Sequence, residues 1–399
     1  MSHPSWRHYA GWYLGVLLFG GLCALPMIWP GTFSRPLISH EGARLIVKWS
    51  LLVIPVLFVT GAIWTEPLGR RGRLAIILVA LAGACLCENI HYWYVDKGHY
   101  LPPSETENNT TWQWWMHGGI LRMQRGFTPH SYRFLTDNIV ALLHGASGEF
   151  AFGRILYRIT ANATMLVLLF RYARTYMSAA AAAGCMLAFV AIYPSTIQHY
   201  AGQFVDPASH LTFVLCLFCL ARRYEPPFGP ALFLGVYAKE SVIVMAVLRA
   251  FRDRITLRSV VTAAGYLAVA VLLAALIRIR LSEGRGAFTE LSGVPLGHVW
   301  DNMTAWYRHW LPLYLLTLGI LTPGAILGWR LMDRPFQWTC LLLVLAMVGS
   351  SALFSWMTEV RNLVPALFPL IVVNLRWAEE VFRRNAAVWT APPVHLPGR

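Results

Sequence analysis

The chain has 399 residues, 57% of them hydrophobic and 13% charged, with a formal net charge of +14. Soluble domains carry about a quarter charged residues, so this composition excludes a water-soluble enzyme and a disordered chain. The basic excess does not mark a nucleic-acid binder either, because the arginines punctuate apolar runs instead of gathering on one polar face.

A bilayer core of about 30 Å takes about 20 mostly apolar helical residues. By that measure the sequence predicts an all-α, polytopic bundle with spans at 10–29, 45–64, 73–91, 155–174, 178–194, 207–221, 259–279, 310–329, 337–356 and 362–376. The first reads as a retained helix, not a cleaved signal. Arginines favour cytoplasmic loops. Arg70, Arg71 and Arg73, then Arg171 and Arg174, Arg222 and Arg223, Arg330 and Arg334, and Arg376, Arg383 and Arg384 mark such loops. Alternate counting puts both termini in the cytoplasm and the segments 96–149, 195–206, 281–309 and 357–361 outside. The expected location is a bacterial inner membrane.

One apolar run breaks the alternation. Residues 228–250 are flanked by Arg222 and Arg223 on one side and by Arg249, Arg252, Arg254 and Arg258 on the other. Both flanks favour the cytoplasm, and 23 residues are too few to cross twice. The run therefore predicts a re-entrant pair of short helices, broken near 237–241, with Lys239 and Glu240 at the tip in a watered cavity. The external loop 92–150 is long enough to be functional and carries Trp112, Trp114, Trp115, Phe127 and Tyr132. Within it, Phe134, Leu135, Ile139, Val140, Leu142 and Leu143 share one side of a short helix, with Asp137 and Asn138 elsewhere. That pattern predicts an amphipathic helix lying on the outer membrane surface.

Ionisable residues at membrane depth are costly and mark candidate sites. Glu88, near the outer end of the third span, and Asp96, in the loop beyond it, are candidate bases. Each also has a plain reading, as an interfacial helix cap or a solvated partner of Lys97. Arg133, Arg158, Arg278 and Arg280 lie on the side where arginine is disfavoured. A guanidinium fork suits phosphate oxygens, although anionic headgroups would attract the same side chains. Asp206 precedes Pro207 at a helix start, where it also fits an N-cap. Lys239 with Glu240, and Glu359 with Arg361 in a short outer turn, complete the set. The seven cysteines all fall in apolar runs, so neither a disulfide nor a zinc site is expected.

A span ending in an acidic residue, then a long outer loop with a surface helix, then many spans, resembles the GT-C superfamily of membrane glycosyltransferases. The fragments Tyr132-Arg133-Phe134-Leu135, Ala238-Lys239-Glu240-Ser241 and Glu359-Val360-Arg361-Asn362 are similar to those of bacterial members. The resemblance covers residues 73–399, including loop 92–150, and leaves 1–72 as a two-span N-terminal extension. It implies transfer of a sugar from a polyprenyl-phosphate donor to a glycan, lipid or protein acceptor on the outer face, with Asp96 or Glu88 as the base. It implies no nucleotide or other required cofactor and leaves a divalent metal open. The chain departs from the family's pattern in having no Asp-Asp or Asp-Glu pair after the core span and no soluble C-terminal domain. The competing readings are a transporter or flippase for a lipid-linked or anionic substrate, and a non-catalytic subunit of an envelope-assembly complex.

Overall fold

The computed structural model describes residues 40–93, 117–118, 121, 133–197, 205–252, 255–281, 299–300, 302–304, 311–354 and 360–390. Helices account for nearly all of them, and no strand occurs among them. In chain order, α1 (Glu41–Leu51) and α2 (Val53–Ile63) form one interrupted rod. The interruption at Leu52 has a cause in Pro55, which lacks an N–H and whose ring crowds the carbonyl four residues back. Then follow α3 (Arg70–His91), α4 (Phe134–Ser147), α5 (Phe150–Ala173), α6 (Ala179–Thr196) and α7 (Val205–Arg222). A broken unit comes next: α8 (Glu225–Ala238), a 3-10 turn (Glu240–Ile243), α9 (Val244–Leu248) and a second 3-10 turn (Arg249–Phe251). The chain continues with α10 (Leu257–Leu281), α11 (Leu311–Tyr314), a π turn (Leu315–Gly319) and α12 (Ile320–Gly328). After another 3-10 turn (Trp329–Leu331) come α13 (Arg334–Phe354), a 3-10 turn (Val360–Leu363) and α14 (Val364–Thr390). The π turn ends four residues before Pro323, so the widened ladder absorbs the hydrogen bond that Pro323 cannot make to Gly319.

Among the described residues, six stretches are long and apolar enough to cross a membrane: Glu41–Ile63, Arg70–His91, Ala179–Thr196, Leu257–Ile279, Leu311–Leu331 and Arg334–Leu353. They coincide with six predicted spans. The spans predicted at 155–174, 207–221 and 362–376 form α5, α7 and α14, which fall outside that set, and the span at 10–29 lies outside the described residues. The apolar stretches leave much of their surface uncovered by protein. Along α10, for example, Val260, Val261, Val271, Leu272 and Leu276 are exposed. Contiguous apolar surface of this extent is foreign to water and fits an integral membrane protein.

The bundle is organised around α5, on which α2, α3, α4, α6 and α7 all pack. Every residue from position 161 to 170 of α5 is buried. A helix that is apolar all round belongs in the middle of a large structure. On the far side of α6, Phe189 stacks on Phe368 of α14 with ring centroids 5.5 Å apart.

Two expectations can be compared directly with this arrangement. The helix predicted on the membrane surface exists as α4, but its two sides are not an apolar side and a free polar side. Thr136, Asp137 and Asn138 are as buried as Leu135 and Val140. The helix is packed within the protein against α5, where Gly153 makes room: a Cβ there would sit 2.9 Å from the His144 backbone nitrogen. The helix break expected near 237–241 falls at Lys239, whose backbone is extended (φ −163°, ψ 128°). From there the chain turns back, and Arg249 Nε reaches Glu225 at the start of α8, 2.9 Å from Oε1. The segment is thus a hairpin whose two ends meet.

Close contact between the arms depends on Gly235. A Cβ at this position would lie 2.5 Å from Val242 Cγ1 and 3.0 Å from Thr212 Oγ1. Overpacking of this kind costs about 1–3 kcal/mol. Gly235→Ala should therefore lower the thermal midpoint of the detergent-purified chain, and Val242→Ala in the same chain should recover much of the loss. A Gly235→Ala chain as stable as wild type would show that the arms are not packed this closely.

Candidate functional site

Asp206, in the first turn of α7, is 5% exposed and accepts from two cations. Lys239 Nζ lies 3.1 Å from Oδ1, and Arg361 Nη1 lies 3.2 Å from Oδ2. The three come from the start of α7, the hairpin break and the turn before α14. The extended backbone at Lys239, its N–H bonded to the Gly235 carbonyl at 2.7 Å, brings its side chain to this junction. Lys239 also donates to Asn362 Oδ1 at 2.6 Å. One turn along α7 from Asp206, His210 is buried with Nε2 3.3 Å from the Arg361 carbonyl oxygen.

A second ion pair lies beside the first. Arg158 of α5 is fully buried and grips Glu88 of α3 with both arms of its fork, Nε to Oε2 and Nη2 to Oε1 each at 2.6 Å. Bidentate guanidinium–carboxylate contacts are strong and geometrically specific. A cavity of about 20 Å³, room for about one water, separates the two groups and is lined in part by His91, Arg158, Asn162, Asp206, His210 and Arg361. Glu240 forms a third group. Arg133, which precedes α4, donates from Nε to Oε2 at 3.2 Å, and Arg278 of α10 donates from Nη2 to Oε1 at 3.1 Å. These groups are about one-fifth exposed, so this edge of the cluster is the more open one.

Of the residues singled out in the sequence, Glu88, Arg133, Arg158, Asp206, Lys239, Glu240, Arg278 and Arg361 thus fall into three adjoining ion-paired groups. Asp96 and Glu359 lie outside the described residues, as do the side chain of Arg280 and the loop aromatics Trp112, Trp114, Trp115, Phe127 and Tyr132. The pairing itself was not expected: Glu88 and Arg158 were separate candidates, a base and a phosphate ligand. His210 and Asn362 were missed, although each had a local signal. His210 stands four residues after Asp206, on the same helix face, and Asn362 adjoins Arg361.

Another buried pair was missed outside the cluster. His117 Nδ1 lies 2.8 Å from Asp137 Oδ1, with both side chains almost wholly buried. Burial pushes the Asp137 carboxyl above the ordinary carboxylate range, against the opposing pull of its hydrogen bond with His117. Nothing in sequence spacing links these two residues, which are 20 apart.

Fold and cluster together define a helical protein of integral-membrane type with a buried, charge-paired polar centre. Compared with protein-family models, curated proteins and solved structures, the chain matches none.

The Glu88–Arg158 pair makes a quantitative prediction. Removing one partner of a buried pair costs about 3–5 kcal/mol, because the other is left charged and unpaired, whereas replacing both is often neutral. Arg158→Met should strongly destabilise the purified chain, and adding Glu88→Gln should restore a large part of the loss. Additive losses in a double-mutant thermal-denaturation cycle would show that the two side chains are not coupled.

Proposed function

We propose that the protein is a membrane glycosyltransferase that moves a sugar from a polyprenyl-phosphate donor to an acceptor on the outer face of the membrane. The observation that carries this reading is one small cavity lined by Arg158, Asp206 and Arg361, with Glu88 paired to Arg158 and Lys239 paired to Asp206, five side chains from five separate segments. Sugar transfer from a lipid phosphate needs cations where charge grows on the leaving phosphate and a carboxylate within reach of the acceptor hydroxyl. In this reading Lys239, Arg361, Arg133 and Arg278 hold the phosphate, and Asp206 and Glu240 keep those cations in place. Lys239 has three N–H donors, two of them used by Asp206 and Asn362, so one is left for an incoming oxygen. Both oxygens of Glu88 are engaged by Arg158, which suits Glu88 to positioning and leaves Asp96 as the acceptor's base. No nucleotide is involved, and the acceptor is a glycan, a lipid or a protein.

The same reading places about ten spans and the re-entrant hairpin in a bacterial inner membrane, with both termini in the cytoplasm. A transporter or flippase is the second reading, favoured by one observation: a broken helix with charged residues at the break is also how transporters build midplane sites.

Two measurements test this. The purified full chain, given a synthetic polyprenyl-phosphate sugar and envelope extract as acceptor, should release polyprenyl phosphate. Asp96→Asn should slow turnover by on the order of 10²–10⁴-fold with donor binding retained, whereas Arg361→Lys should weaken donor binding. Passage of the intact donor across sealed vesicles without sugar transfer would overturn the enzyme reading in favour of the transporter. For the orientation, in a chain carrying Cys85→Ser, a cysteine placed at position 104 or 290 should react with an impermeant thiol reagent from outside. One placed at position 72 or 253 should not, and external labelling at 253 would put the hairpin segment across the membrane.

A further inference from the structure

At the opposite end of the bundle lies a second feature that the glycosyltransferase reading does not use. A cavity of about 1130 Å³ is lined by Arg223, Arg249, Arg252, Arg258 and Arg334, with Glu225 as the carboxylate among them. Glu225, which lines the cavity, and Ala238 stand at opposite ends of the 14-residue α8, so at 1.5 Å per residue the cavity lies roughly 20 Å from the hairpin break beside Glu240. Its floor is Arg249, 7% exposed, which pairs through Nε with both oxygens of Glu225 at 2.9 and 3.0 Å. Arg252 pairs with the same carboxylate. One Glu225 therefore serves two arginines. The Nη1 nitrogen of Arg249 is buried and has no hydrogen-bond partner among the described residues. A buried guanidinium nitrogen without an acceptor is costly, and the positive charge of Arg249, with that of Arg252, Arg258 and Arg334, favours an anion in the cavity.

The rim carries further information. Arg258 of α10 and Arg334 at the start of α13 are exposed and line the cavity. Beside them, Ile255 and Trp338 are 61% and 47% exposed, and the Phe251 and Trp338 rings lie 6.0 Å apart. Cations within an apolar, aromatic rim match a group that is anionic at one end and greasy at the other. Arg223 contributes from the α7–α8 turn with a left-handed backbone (φ 58°), a conformation that costs energy for a residue other than glycine.

We propose that this cavity binds a phosphate-ester anion, the headgroup of an anionic phospholipid, with Arg249 at its floor and Arg258 and Arg334 as clamps. A soluble phosphate compound would use the same donors, so the two sources must be separated by experiment. Native mass spectrometry of the full chain in detergent, with equimolar dioleoyl phosphatidylglycerol and dioleoyl phosphatidylcholine, reads the lipid arm. Inorganic pyrophosphate, titrated into a second sample, reads the soluble arm.

Phosphatidylglycerol should be retained over phosphatidylcholine. Arg258→Gln/Arg334→Gln, which changes only exposed side chains, should weaken that retention about tenfold. Arg249→Met should abolish it, and the thermal midpoint reports whether that chain still folds. Saturable pyrophosphate binding that is lost in the Arg258/Arg334 variant, without lipid selectivity, would keep the phosphate site and overturn its lipid occupant. Equal retention of both lipids with no pyrophosphate binding, or selectivity unchanged in the Arg258/Arg334 variant, would overturn the site altogether. None of these side chains belongs to the cluster around Asp206, so failure here leaves the glycosyltransferase reading untouched, and the reverse also holds.

Discussion

A carboxylate shared by two cations, Asp206 between Lys239 and Arg361, ties three segments of the bundle to one another. Burying a charge is tolerable only when it is paired and its remaining lone pairs are satisfied. Asp206 meets that condition with partners on two other segments, which fixes three backbone positions relative to one another. The hairpin must break at Lys239 and not a turn later. The turn at Val360–Leu363 must present Arg361 inward. Helix α7 must begin where it does, with its N-terminal end, the favourable end for an anion, at the junction. Because no part of this can slide alone, the junction acts as a registration point for α7, α8 and α14.

The Glu88–Arg158 pair plays a corresponding part between α3 and α5. Its chemistry differs in one respect. A bidentate fork occupies both carboxylate oxygens of Glu88, and Arg158 also lines the small cavity. A carboxylate that grips an arginine with both oxygens fixes the orientation of the guanidinium. The pairing of one carboxylate with one or two cations runs through all three groups of the cluster.

Much of this was legible in the sequence, and the reasons for the failures are specific. The hairpin could be read because arginines flank both ends of an apolar run too short to cross twice, and the break could be read because Lys239 and Glu240 interrupt it. The interior position of α4 could not. An apolar stripe looks the same whether lipid or α5 covers it, and Asp137 gave the appearance of a free polar side because its partner, His117, stands 20 residues upstream. The ion pairs were illegible for the same reason. Glu88 and Arg158 stand 70 residues apart, and Asp206 and Arg361 stand 155 apart. Side-chain type announces that a buried charge needs a partner, but only tertiary packing says which.

The charges also sort into two layers. At one end are Glu88–Arg158, Asp206 with Lys239 and Arg361, and Glu240 with Arg133 and Arg278. At the other are Glu66 with Arg171, and Glu225 with Arg249 and Arg252. Between them the helices carry none: α5 has no charged residue from Arg158 to Arg171, and α7 has none from Asp206 to Arg222. The sixteen-residue rise along α7 is roughly 24 Å, somewhat less than the roughly 30 Å hydrocarbon thickness that a spanning helix must match. Helices α5, α7 and α14 lie outside the set of plainly apolar stretches. Their charged ends belong to the two layers and are neutralised by partners there, while their uncharged middles lie among the surrounding helices. The layering therefore gives each buried helix partners for its charged ends, since a helix shielded by its neighbours need satisfy only those partners, not the lipid.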